Sequence, residues 1–151
     1  MNTDLPVTRD LVLIGGGHAH ALMLRQWGMK PLAGVRLTVI DPNIKAPYTG
    51  MLPGHVAGHY PREALDIDLV RLAQFAGARL VQDRATGLDR TARLVRLERR
   101  PDIAYDHLSI DIGISSAPME IEGFAEHGIA AKPLGPFAES WARYVARVTD
   151  S

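Results

Sequence analysis

The stretch Asp10–His20, reading Asp-Leu-Val-Leu-Ile-Gly-Gly-Gly-His-Ala-His, limits what this chain can fold into more than any other. Leu11–Ile14 is an uninterrupted apolar run, the pattern of a strand buried on both faces of a parallel sheet. Gly15, Gly16 and Gly17 break the run, and the mostly apolar stretch Ala19–Met29 follows with no proline and one interior glycine. That stretch is long enough for about three helical turns and is expected to end near Gly28. A second strand, Val35–Ile40, comes next and ends in an acid, Asp41, 24 residues after Gly17.

Strand, glycine turn, helix, strand and terminal acid are the parts of a dinucleotide-binding βαβ unit. The glycines let the backbone approach a pyrophosphate, the first amides of the helix receive its charge, and the acid accepts from a ribose hydroxyl. The bland alternative is a βαβ unit that holds no ligand, with Asp41 merely starting a turn. One departure is plain: the third glycine of the fingerprint is replaced by His20. A side chain there is expected either to push the helix off the strand or to aim an imidazole at the phosphates.

At 151 residues the chain is one domain, or most of one. Its 17 Lys and Arg balance 17 Asp and Glu, so no net field draws it to nucleic acid. No apolar run approaches the ~18 residues of a membrane span. Residues 1–9 are polar with one proline and read as a flexible start without a signal peptide, so a cytoplasmic location is expected. The chain has no cysteine, which excludes disulfides, thiolate metal sites and a dithiol relay within it. His55 and His59 have i, i+4 spacing, but zinc needs a third ligand that the sequence does not place, so no metal is expected.

Pro42–Tyr60, punctuated by prolines and glycines, reads as a long functional loop. Asp68 reads as an N-cap, Leu69, Leu72, Ala73 and Ala76 follow at helical spacing, and Gly77 closes the helix. Arg79–Val81 reads as a third parallel strand. Ala85–Asp89, Arg93–Glu98 and Ile103–Tyr105 are separated by turn-sized gaps, the mark of an antiparallel meander. Leu108–Ile112 is another buried-type strand, running up to Gly113. Phe137, Trp141, Tyr144, Val145 and Val148 share one face of a closing helix. That face is expected to pack on its own domain, with a membrane-surface or quinone-side contact as the alternative. The class is α/β, a parallel sheet with an inserted antiparallel β-meander.

This order of elements, with Pro47-Tyr-Thr-Gly-Met-Leu-Pro-Gly54 and Gly15-Gly-Gly-His-Ala-His20, resembles the FAD-binding half of flavoproteins with two dinucleotide-binding domains. These form the pyridine nucleotide-disulfide oxidoreductase superfamily, including type II NADH dehydrogenases and sulfide:quinone reductases. The likeness is greatest to the flavoprotein that some bacteria fuse to selenide, water dikinase. It covers residues 10–150 and implies a Rossmann-like FAD-binding fold, with an FAD-binding domain over 10–131. Residues 132–151 would be a helix leading toward an NAD(P)-binding domain.

The resemblance also implies roles. Gly15, Gly16, Gly17 and the amides near His18 and Ala19 would hold the FAD pyrophosphate, and Asp41 the adenosine ribose. Ala85 would meet the adenine edge through its backbone, while Met51 and Leu52 would lie near the isoalloxazine. The stretch that closes the flavin site in the family, Ile-Ala-Thr-Gly, is here Ile110-Asp111-Ile112-Gly113, so Ile112 and Gly113 join the site and Asp111 has to turn away from the ring. Without cysteines, reduced flavin would hand electrons directly to a quinone or another small acceptor, the hydride having come from NADH or NADPH.

No second glycine fingerprint follows Gly17. The resemblance therefore implies a portion of a longer flavoprotein that retains little FAD alone and pairs as a homodimer through the Leu108–Ile112 edge or the Trp141 helix. A stand-alone nucleotide-binding module without redox chemistry is the alternative. A nicotinamide-binding domain is a third reading, against which the meander argues.

Overall fold

In the computed structural model, which describes residues 6–113 and 121–149, the chain forms nine strands and five α-helices among those residues. They run β1 (Arg9–Ile14), α1 (His18–Met29), β2 (Val35–Asp41), β3 (Lys45–Pro47), α2 (Leu52–Val56), β4 (Asp66–Asp68) and α3 (Leu69–Ala76). β5 (Arg79–Gln82), β6 (Ala85–Asp89), β7 (Leu94–Leu97), β8 (Ile103–Ala104), β9 (His107–Ile110), α4 (Phe124–His127) and α5 (Leu134–Thr149) follow. The chain divides into two units, Met1–Ala46 with Ile67–Ile112, and Pro47–Asp66 with Gly113–Ser151.

The first unit explains the unbroken apolar run. β1 lies in the middle of a four-stranded parallel sheet of order β5-β2-β1-β9, and both of its faces are covered. Val12 and Ile14 join Ile40 and Val81 in a cluster with Val95, Ala85, Leu97, Ile103 and Tyr105 of the meander. Leu13, on the other face, joins Leu37 and Val39 in a cluster with Leu24 and Trp27 of α1 and Leu72 and Ala76 of α3. Alternate residues of one strand thus serve two cores, and each fully buried Leu or Val contributes about 1.5–3 kcal/mol of transfer free energy. The meander is antiparallel as expected, with β6 pairing β7 and β7 pairing β8.

α1 ends at Met29, near Gly28 as expected, and Gly28 lets α1 and α3 approach, because a side chain there would strike the Phe75 ring. The boundaries of other elements differ from those expected, each for a physical reason. β9 starts at His107 and stops at Ile110. Beyond it, the Asp111 amide still donates to Ile14 O at 2.9 Å, but the Asp111 carbonyl turns to accept from Gly17 N at 3.2 Å. The Pro42–Tyr60 segment is not a bare loop: it holds β3, a 3-10 turn at Thr49–Met51 and α2. β3 pairs with β4 in a two-stranded ribbon. Asp68 caps α3 by accepting from Arg71 N at 3.0 Å, and Gly77 ends it in the left-handed conformation, as read from the sequence.

In the second unit Leu65, Leu134 and Ala138 are buried. The Tyr48 amide donates to Leu65 O at 2.6 Å, and Arg62 pairs with Asp66, four residues on, at 2.9 Å. The expected packing of the α5 stripe holds only for its first half. Trp141 is half-buried, while Tyr144, Val145 and Val148 are exposed. Trp141 stacks on Tyr144 with centroids 5.7 Å apart, and the Arg147 guanidinium lies 5.6 Å from the Tyr144 ring centre. Among the described residues, no helix is long and apolar enough to cross a membrane.

Candidate functional site

The parallel register sets β1, β2 and β9 level, with Ile14 beside both Ile40 and Ile110. Whatever follows these three strands therefore meets at one end of the sheet: the glycine loop after β1, Asp41 closing β2, and Asp111 after β9. Ligands of open α/β sheets collect at this carboxyl end. Gly15 has φ +91°, and a Cβ there would land on the Asp111 carbonyl, so both its backbone angle and its neighbour require glycine. Gly16 is buried against Leu69 with no room for a side chain.

The amides of the loop are engaged within the protein. Gly15 N donates to Ile40 O at 2.8 Å, Gly16 N to Asp41 Oδ2 at 2.7 Å, and Gly17 N to Asp111 O at 3.2 Å. Asp41 Oδ1 accepts in turn from Asn43 N at 2.7 Å. His20 N, in the first turn of α1, donates to Asp111 Oδ2 at 3.1 Å. The exposed rim of the loop is His18 and Ala19.

His20 neither faces outward nor reaches that rim. Its ring is buried, with Nδ1 2.7 Å from Gly15 O and Nε2 2.9 Å from Ser109 Oγ. With Nδ1–H donating to the carbonyl, Nε2 accepts from the serine hydroxyl, and the imidazole bolts the glycine loop to β9. The expectation that this side chain would be aimed at phosphates is corrected here. The Gly15 carbonyl and the Ser109 hydroxyl, one accepting and one donating, give the ring a place inside.

Ala85 opens β6, opposite Leu97, and packs on the cluster that holds Ile14 and Ile40. Ile112 is 62% exposed. Gly15, Gly16, Gly17, His18, Ala19, Asp41, Ala85 and Ile112 all belong to the first unit, whereas Met51, Leu52 and Gly113 belong to the second. Met51 ends the 3-10 turn and Leu52 opens α2, both half-buried.

Sequence reasoning missed Asp83, which is fully buried just after β5. Its carboxylate accepts from Arg84 N at 2.8 Å and Arg99 N at 3.1 Å, and lies 3.6 Å from Arg99 Nε. Burial pushes its carboxyl up, but the two amides and the Arg99 guanidinium outweigh burial and hold it below the ordinary range. Arg99 thus anchors the turn after β7 through its amide. A hollow of about 440 Å³ beside it is lined by Gln82, Arg99 and Arg100. Nothing in the sequence marked Asp83, since an acid after a strand is common.

No family model matches the sequence. Solved structures do match the fold. The sulfide:quinone oxidoreductase of Aquifex aeolicus is 22% identical with TM-score 0.65, over 91% of this chain and 33% of its own. A NAD-dependent persulfide reductase from A. fulgidus is 23% identical with TM-score 0.65, over 89% of this chain and 27% of its own. NDH2 from Plasmodium falciparum, in complex with NADH, is 15% identical with TM-score 0.61, over 78% of this chain and 25% of its own. The chain thus spans about a third or less of the length of these structures. Its architecture is the Rossmann-like α/β fold that these structures share.

Proposed function

We propose that this chain is the FAD-binding portion of an NAD(P)H-dependent flavin oxidoreductase that delivers electrons to a quinone or another small acceptor without a dithiol relay. The observation that carries the reading is the Gly15–Gly17 loop between β1 and α1, with the Asp41 carboxylate folded onto it. Each Asp41 oxygen takes one amide, from Gly16 and from Asn43, and each keeps a lone pair for a ribose hydroxyl. The residues present fit the adenosine end of a dinucleotide. Bound FAD would accept a hydride and release electrons singly or in pairs. The protein's part is placement: Gly15, Gly16, Gly17, His18 and Ala19 at the pyrophosphate, Asp41 at the ribose and Ala85 at the adenine. Met51, Leu52, Ile112 and Gly113 belong at the flavin. The absence of cysteine from the sequence supports direct electron release, since no dithiol within this chain can intervene.

ADP, which carries the adenosine and pyrophosphate of FAD, tests the reading on this chain by calorimetry. Asp41→Ala removes a charged acceptor and weakens ADP by about 1.5–3 kcal/mol, ten- to a hundredfold in affinity. Equal ADP affinity in the two proteins would remove Asp41 from the site.

A further inference from the structure

The anion-receiving end of α1 already holds an anion from this chain. We propose that Asp111 is a built-in counter-anion of the glycine loop, a specificity-determining residue that sets how strongly the site takes the phosphates of an adenine nucleotide. The proposal rests on the nucleotide-binding reading above and deepens it.

Several observations support it. Asp111 Oδ2 accepts from the His20 amide at 3.1 Å, taking one of the donors that α1 would offer a phosphate. The carboxyl group lies where a Cβ on Gly17 would be, so it covers the open side of that glycine. Gly17 has φ −59° and ψ 170°, angles any residue adopts, so a side chain here would meet the Asp111 carboxylate and no backbone barrier. The backbone on both sides of the carboxylate is pinned, Asp111 N to Ile14 O at 2.9 Å and Asp111 O to Gly17 N at 3.2 Å. His20, bonded to Gly15 O and Ser109 Oγ, adds a further tie between the loop and β9.

These contacts determine how a phosphate enters. A dianionic pyrophosphate and the Asp111 carboxylate repel each other at hydrogen-bond range, in surroundings less polarisable than water. The carboxylate has to leave by rotating its side chain, because its backbone is held and the end of β9 stays in place. The loop therefore discriminates by ligand charge. It takes adenosine without opposition and takes ADP only after displacing its own carboxylate, so removing the charge strengthens ADP alone.

Calorimetry on the 151-residue chain with adenosine and ADP tests this, using wild type, Asp111→Asn and Asp111→Ala. Asparagine keeps an acceptor for the His20 amide and the shape of the side chain, and alanine clears the site. ADP is expected to bind about tenfold more tightly or better to both variants, with adenosine unchanged. In the wild type, the carbon-13 shift of the Asp111 carboxyl moves with ADP and not with adenosine, a readout that needs no variant. ADP affinity equal or weaker in both variants, or a still Asp111 carboxyl under saturating ADP, overturns the proposal while adenosine binding leaves the site itself standing. Failure of adenosine and ADP alike on all three proteins overturns the nucleotide site, and this inference with it.

Discussion

Gly15→Ala is the substitution whose cost can be worked out most fully, with Gly77→Ala as its reference in the same unit. Both glycines have positive φ, +91° at Gly15 and +62° at Gly77, and an alanine forced into that region costs about 1–2 kcal/mol. At Gly77 that is the whole cost, since an added Cβ meets nothing within 4 Å. At Gly15 the same Cβ strikes the Asp111 carbonyl and comes within 3.0 Å of Ile112 Cα. Backbone cannot rotate away as a side-chain tip can, and Asp111 is bonded to Ile14 on one side and Gly17 on the other. Relief requires the end of β9 to move, an overpacking penalty of about 1–3 kcal/mol. Gly77→Ala is therefore expected to cost about 1–2 kcal/mol and Gly15→Ala about 2–5. Urea unfolding followed by circular dichroism reads the gap as a difference in midpoint of about 1 M. Coincident midpoints would show that Asp111 does not crowd Gly15, and the site geometry would be wrong.

Asp68→Ala removes the α3 cap to Arg71 N and is expected to lower stability by about 1 kcal/mol in the same urea assay, with Asp68→Asn retaining most of it. Asp83 bears on acid sensitivity. Its folded carboxyl is held below the ordinary value, so its contribution is complete above the unfolded value of about 3.9 and is lost as pH falls through the lower folded value. Asp83→Asn is expected to lower the midpoint at neutral pH and to flatten its fall below about pH 4, and an unchanged acid slope would refute that role.

Local patterns carried most of the fold. Leu11–Ile14 could be read as a doubly buried strand because alternate residues feed two cores. The meander was legible from its turn-sized gaps, and α3 from Asp68 and Gly77, whose capping chemistry lies within the helix's own ends. What was not legible depends on partners far away in sequence. His20 turns inward because Ser109, 89 positions on, gives its second nitrogen a partner. Gly28 has to be glycine because Phe75, 47 positions on, leaves no room for a side chain. Asp111 is drawn to the His20 amide, 91 positions back, which no reading of Ile110-Asp111-Ile112-Gly113 alone reveals. The stripe on α5 was visible, but its periodicity does not say how far along the helix a cover extends, and Tyr144, Val145 and Val148 stay exposed.

The most direct test of the central claim is a map of backbone amide shifts on titrating the chain with ADP. The amides of Gly15, Gly16, Gly17, His18, Ala19 and His20 are expected to shift most, joined by Asn43 beside Asp41 and by Ala85, while those of α5 from Gly135 to Thr149 stay still. Shifts confined to other segments, or a loop that does not respond at saturating ADP, would contradict the claim.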